Sequence, residues 1–456
     1  MLPKIGLRLL WLTLLFSIPT NNLFSANYKQ ISLPQFHKQA LLNGLEFLVL
    51  PSHNARNSFV LMIRNGAAFD PANKWGLTYL TTQMMLEKTE HRTGQHIRES
   101  LKQMNAELEF QVGWDAITFW GSAPPDQIIE VLNLLAEIIV SPQFTDETFK
   151  KLRDRLVQQV EQESQQLTLR TKHLFIAEIF QGNPYEHSVK GTSTTLANLQ
   201  LTDIKRHYRK LFLPNQTQLA IEYSGNTDYL QEKIGGAWGI WRRKKSVPFT
   251  FRSPKVLDQP KILLVDAPDS ESLFRWGKIS VERNANEYYI LKVLEQYLML
   301  LLPEWAEQIT TQSQIQASSK LVTRKMPGYL ELSIKATPSQ LIAYFQKFQE
   351  FVNELHKGHV DTEKFEEAKQ LAYYEIIQSL EQPGSYLTQL LELTLYGIGQ
   401  NFISHYGLRL ERISIEKFKR AVPKHLSVED CIIIVAGPKD TFEPVFKNLG
   451  EVTILK

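Results

Sequence analysis

The chain has 456 residues, 43% of them hydrophobic and 22% charged, with a formal net charge of +3. That length exceeds one ordinary domain and implies two or more with sizeable cores, while so small a net charge gives no case for nucleic acid. A single cysteine, Cys431, excludes an internal disulfide and any cysteine-based metal cluster. Leu42-Asn43-Gly44-Leu45 reads as a turn entering a strand, Glu46 to Leu50. A second strand, Ser58 to Arg64, is closed by Asn65-Gly66. Trp75 to Leu86 and Gln95 to Asn105 read as helices. Glu107 to Gln111 and Ala116 to Gly121 form a strand pair around Gly113-Trp114-Asp115. Ile128 to Val140 is an amphipathic helix stopped by Ser141-Pro142. Thr145 to Thr168 is predicted as one long charged helix. A loop at Asn183-Pro184-Tyr185, a helix from Thr202 and a strand from Gln218 to Tyr223 before Gly225 complete this half. Strands and helices mix without strict alternation, which is an α+β order.

The second half repeats the first. Phe144 to Val160 reads FTDETFKKLRDRLVQQV and Val360 to Ile376 reads VDTEKFEEAKQLAYYEI, each with an acidic helix start, a phenylalanine and a basic residue nearby. Helices beginning at Thr202 and Ser414 then lead to apolar strands ending at Gly225 and Gly437. Phe149 and Phe365 are 216 residues apart and Thr202 and Ser414 are 212 apart, so the repeat unit is a domain and not a solenoid turn. Gly235 to Pro260, with GGAWGIWRRKK and several prolines, suits a linker. Its run Arg242-Arg243-Lys244-Lys245 reads as a solvated charge run, with a docking patch as the alternative.

At the N-terminus, Lys4 and Arg8 precede the apolar block Leu9 to Phe16, and Thr20-Asn21-Asn22 follow. This is the layout of a secretory signal peptide over residues 1–26, too short for a comfortable membrane span. An uncleaved anchor and a mitochondrial transit peptide are the alternatives. Export, to a bacterial periplasm, is the expectation, with membrane attachment only if the segment is retained.

The stretch from Trp75, WGLTYLTTQMML, carries an apolar stripe of Leu77, Leu80 and Met84 at helical spacing. Tyr79, Thr82 and Gln83, at i, i+3 and i+4, share another face. The stretch resembles the signature helix of the pitrilysin/insulinase family of zinc peptidases. In that family a helix opened by Gly-Leu carries H-x-x-E-H, two histidines for the metal and a glutamate that activates its water. Here Tyr79, Thr82 and Gln83 stand at those three positions. NGLEFLVL, RNGAAFD, SPQFTDETFKKLRDRL, Asn183-Pro184-Tyr185 with Gly191-Thr192, and Leu213-Pro214-Asn215 extend the likeness across nearly the whole mature chain. The family's third zinc ligand, a glutamate, falls on Gln159 in register, to within one or two positions, with Glu161 and Glu163 close by.

The resemblance implies an α+β fold of two homologous domains, each a mostly antiparallel sheet packed with helices, over residues 27–234 and 261–456 with a linker at 235–260. It also implies that this chain has no catalytic residues, no metal site and no cofactor of its own, and no peptidase activity by itself. Zinc would belong to a partner, a catalytic peptidase of the same family forming a heterodimer whose chamber takes unfolded peptides. The purely structural or peptide-binding scaffold is the alternative. Catalytic members carry a Gly-rich loop, then an Arg and a Tyr that hold substrate, in the second domain; Leu294 to Ser318 has no Gly-rich run, and no Arg or Tyr at the expected places. Thr82 has no general base identifiable beside it. His356 and His359 have ligand-like spacing, which a loop between two helices explains, and His91 and His96, five apart with Thr93-Gly94 between, are too irregular for one helical face.

Overall fold

The computed structural model describes residues 28–268, 272–310, 315–382 and 384–455; the signal-peptide segment 1–26 lies outside them. The first half runs β1 (His37–Ala40), β2 (Glu46–Pro51), β3 (Asn57–Ile63), α1 (Leu77–Met85), α2 (Gly94–Gln103), β4 (Glu107–Val112) and β5 (Ile117–Ala123). It continues through α3 (Ile128–Val140), α4 (Asp146–Gln165), α5 (Leu167–Ile179), α6 (Ser193–Ala197), α7 (Leu201–Leu211), β6 (Thr217–Tyr223) and α8 (Thr227–Trp238). The second half runs β7 (Lys261–Asp266), β8 (Ser272–Ile279), α9 (Tyr288–Ile309), β9 (Gln316–Val322), β10 (Tyr329–Ala336), α10 (Pro338–His356) and α11 (Thr362–Glu381). It ends with α12 (Ser385–Leu395), α13 (Asn401–Ser404), α14 (Tyr406–Glu411), α15 (Ile415–His425), β11 (Ile432–Gly437), α16 (Lys439–Phe446) and β12 (Val452–Leu455).

Each half builds a six-stranded, mostly antiparallel sheet, in the orders β1-β2-β6-β3-β5-β4 and β12-β7-β11-β8-β10-β9. The five strands β2, β6, β3, β5 and β4 match β7, β11, β8, β10 and β9 in place. One parallel pair recurs, β2 with β6 and β7 with β11. The outer edges differ, because β1 pairs antiparallel with β2 while β12 pairs parallel with β7. Both β6 and β11 are buried on two faces, which is why IIIVAG, and LAI at the centre of β6, read as continuous apolar runs and not as alternating ones.

The helix predicted over Thr145–Thr168 is two helices. Gln166, at φ −79° and ψ 117°, leaves the helical region and turns α5 away from α4. The break lets the halves exchange helices. Helix α5 lies across β8 and β11 of the second sheet, and its counterpart α12 lies across β3 and β6 of the first. Strand residues split accordingly: Ile433 and Val435 join one core with Val60 and Met62, whereas Ile432 and Ile434 join another with Phe59 and Leu61. Both cores therefore contain residues of both halves. In the linker, α8 continues to Trp238 and the stretch without helix or strand starts beyond it. Phe249 and Phe251 pack against Phe69, and Arg242 to Lys245 are exposed.

Candidate functional site

Helix α1 is set by a buried polar bracket at its start. Gly76 sits at φ +92°, where a side chain would be strained, and a Cβ there would come 2.5 Å from the Lys190 carbonyl oxygen. A Cβ on Gly191 would come 2.2 Å from the Trp75 oxygen. These contacts bring together two sequence landmarks, Gly76 and Gly191-Thr192, that are over a hundred residues apart. Thr195 fastens the junction by donating to the Trp75 carbonyl at 3.0 Å. The Asp70 carboxylate accepts from the Gly76 and Thr78 amides, both at 2.9 Å, and from the Thr78 hydroxyl at 2.6 Å. The Thr78 hydroxyl also meets His207 Nε2 at 2.7 Å. Asp, Thr and His are thus in contact, but all are buried and out of reach of a substrate, so the group is a bracket for the helix start and no nucleophilic triad. Burial drives the two titrating members apart, pushing Asp70 up to about 7 and His207 down to about 3.

Leu77, Leu80 and Met84 pack on Phe149, Leu152, Leu156 and Val160 of α4, which puts Tyr79, Gln83 and Gln159 on two facing helices. Tyr79 is half-buried, its ring 5.9 Å from Phe110 on β4. Gln83 is half-buried one turn on. Thr82 has no exposed surface, and its hydroxyl donates to the Thr78 carbonyl at 2.9 Å. The Thr82 hydroxyl is thus spent on the helix backbone. Gln159 donates to Glu163 at 2.9 Å, and Glu163 accepts from the Lys190 ammonium at 2.6 Å.

This donor set does not fit zinc. A phenol, a hydroxyl and two amides are weak ligands for it, and the nearby carboxylate already neutralises an ammonium that would repel a second cation. Among the described residues no group of three or more His, Cys, Asp or Glu side chains is placed to share a metal ion. His356 Nδ1 lies 2.7 Å from the Val352 carbonyl oxygen and His359 Nδ1 2.5 Å from Glu354, so contacts around the C-terminal end of α10 account for that pair.

Beside this helix the structure shows something the sequence does not. A cavity of about 760 Å³ opens between the halves, floored by the outward face of β4 and β5 and walled by α12 and the β9–β10 turn. Glu107, Glu109, Trp120, Arg324, Glu392 and Tyr396 line it.

Against known proteins, the sequence profile of the family "Insulinase (Peptidase family M16)" matches residues 48–193, the segment that holds α1, β4, β5 and α4. Over that segment the chain carries the insulinase-family pattern. Cytochrome b-c1 complex subunit 1 of Bos taurus is 22% identical over 223 residues, 48% of this chain and 46% of that one, so the match spans just under half the relative's length. The non-peptidase homolog YmxG of Helicobacter pylori is 19% identical over 391 residues, 83% of this chain and 88% of that protein. In structure, the peptidase M16 inactive domain from Pseudomonas fluorescens superposes with a TM-score of 0.79 at 16% identity, over 89% of this chain and 98% of that domain. The chain therefore shares the fold of these proteins and lacks the H-x-x-E-H motif, with Tyr79, Thr82 and Gln83 in its place.

Proposed function

We propose that the chain is a non-catalytic insulinase-family subunit that pairs with a zinc-bearing member of the family and forms part of the wall of a peptide-handling chamber. The observation that carries this reading is an intact frame around an emptied site. Gly76, Gly191 and Asp70 still hold α1 in place, while Thr82 is sealed and Gln159 is spent on Glu163. Two relatives support it by name, one a non-peptidase homolog and the other a subunit of a complex. In this reading zinc, the activating glutamate and bond cleavage belong to the partner, and this chain contributes contacts and peptide selection. Export to a bacterial periplasm rests on the leader-like segment from Lys4 to Asn22; no described helix is long and apolar enough to cross a membrane.

Metal analysis and peptidase assays on the purified chain, alone and with a zinc-bearing family member from the same cell, test the proposal. A metal-free, inert chain that binds that peptidase and raises its turnover upholds it. Zinc bound near one per chain with cleavage by the chain alone, or no association with any peptidase, overturns it. A second reading, a peptide-binding scaffold with no peptidase partner, is favoured by one feature: the cavity between the halves is complete within a single chain.

A further inference from the structure

The cavity between the halves has an unusual balance of charge. Four carboxylates line it, Glu107, Glu109, Asp115 and Glu392, against one guanidinium, Arg324. Asp115 is committed, accepting from the Tyr185 hydroxyl and from the Lys325 amide at 3.2 Å. The others are not. Among the described residues Glu109 has no hydrogen bond or ion pair, and Glu107 meets only the Ser122 hydroxyl, at 3.3 Å. Glu392 accepts no hydrogen bond at its carboxylate, and its nearest cation, Arg283, is 3.9 Å away. Burial raises the Glu392 carboxyl above its ordinary value, and the positive charges of Arg283 and Arg324 offset this only in part.

Arg324 faces Asp115 and a tyrosine-rich wall that hold it charged, but no side chain accepts a hydrogen bond from it among the described residues. Its guanidinium lies 5.3 Å from the Trp114 ring centre, its Nε is buried with no acceptor, and it makes no side-chain hydrogen bond. Leaving such groups without a hydrogen-bonding partner is costly, more so when they carry charge. The floor adds an aromatic face. Trp120 pairs across the strands with Glu109, so indole and carboxylate stand side by side on one sheet surface. An indole face beside carboxylates favours a cation, whereas a lone guanidinium favours a carbonyl or carboxylate. At about 760 Å³ the space falls within the roughly 300–1,000 Å³ of ligand pockets.

We infer that this cavity binds a basic residue. The ammonium or guanidinium of the ligand lies against Trp120 between Glu109 and Glu392, and its backbone carbonyl or terminal carboxylate accepts from Arg324. The inference deepens the peptide-handling reading above by naming the residue selected, and it needs no partner subunit. Free arginine and an arginine residue in a peptide present the same chemistry.

Calorimetric titration of the full chain with Gly-Gly-Arg, Gly-Gly-citrulline, Gly-Gly-Glu and free arginine tests it. Gly-Gly-Arg is expected to bind at least tenfold more tightly than its citrulline analogue, which keeps the shape and removes the charge, and more tightly than Gly-Gly-Glu. Glu109→Gln, on the exposed face of an edge strand, is expected to weaken Gly-Gly-Arg at least fivefold with no change in melting temperature. Free arginine binding as tightly as the tripeptide upholds the site and assigns it to amino acids; tighter tripeptide binding upholds it and assigns it to peptides. Equal binding of the arginine and citrulline peptides, no binding of either arginine ligand, or an unaltered affinity in Glu109→Gln overturns it. Because the titration uses the chain alone, its failure leaves the subunit reading standing, and absence of a partner peptidase leaves this site standing.

Discussion

The two helices exchanged between the halves cross equivalent sheets and leave opposite results beneath them. Under α5, the second sheet is closed by a buried ion cluster: Glu331 on β10 takes both Arg275 from β8 and Lys172 from α5, and Lys172 also reaches the Tyr329 hydroxyl at 3.0 Å. Under α12, the first sheet stays open as the cavity, with Glu392 and Arg324 left without hydrogen-bonded side-chain partners. One crossing spends its charges on holding the halves together, and the other keeps them available. A fold stabilised by one seam can leave the other unfilled.

The largest effect that bears on this contrast is expected at Glu331. Both Arg275 and Glu331 are 5% exposed, so Glu331→Gln leaves a guanidinium and an ammonium in a low-dielectric seam without their carboxylate. Removing one partner of a buried ion group costs about 3–5 kcal/mol. Denaturant unfolding of the variant should show that loss. A loss below about 1 kcal/mol would mean the seam is solvated and that the two crossings are alike.

The next effect sharpens the picture at α1. His207 is held neutral by burial, at about 3 against an ordinary 6.5. The unfolded chain therefore takes up a proton that the folded chain refuses, and this contribution to stability is lost as pH falls from 6.5 towards 3. Asp70 acts in the opposite sense. Its folded value is pushed up to about 7 from 3.8, so its contribution is present below 3.8 and lost as pH rises towards 7. The two nearly cancel in the native chain at mildly acidic pH. His207→Gln removes only the first, so the stability advantage of the native chain over the variant should shrink by about 1 kcal/mol between pH 6.5 and 5.5. A constant difference across that range would show that folding does not shift His207, and an advantage that grows as pH falls would show that His207 is protonated in the fold and that α1 is bracketed by an ion pair instead.

Much of this was legible in the sequence, and the limits have physical causes. The repeat marked by Phe149 and Phe365 lands on equivalent positions of α4 and α11, because helix starts carry their own capping chemistry: Thr145 and Asp361 both accept backbone amides there. The end of α11 is also marked in the sequence, by Pro383 and by Gly384, which adopts φ +74°. The end of α4 is not, since Gln166 is an ordinary helix residue that tertiary packing forces into an extended conformation. Tyr79, Thr82 and Gln83 could be placed on one helix from spacing alone. That Thr82 is sealed could not, because burial depends on α7 and α4 arriving from elsewhere in the chain. The cavity had one visible signal, the alternation of Glu107, Glu109 and Gln111 on one face of β4. Arg324 and Glu392 join that face only through the helix exchange, which no local pattern encodes.

The smallest expected effect is the most discriminating. Glu392→Gln has the same shape as the native side chain, removes a carboxylate that accepts no hydrogen bond, and relieves the burial of its charge. Its cation at 3.9 Å, Arg283, keeps its contacts with the Tyr288 hydroxyl and the Phe402 ring. Stability should therefore change by less than about 0.5 kcal/mol, against several for the matching substitution at Glu331, measured in the same denaturant series. A loss at Glu392 comparable to that at Glu331 would make the carboxylate a structural partner of Arg283. The open crossing would then be a second fastening, and the contrast between the two seams would disappear. A neutral result leaves Glu392 as a half-buried charge that the fold carries without needing it, which is the condition a ligand can relieve.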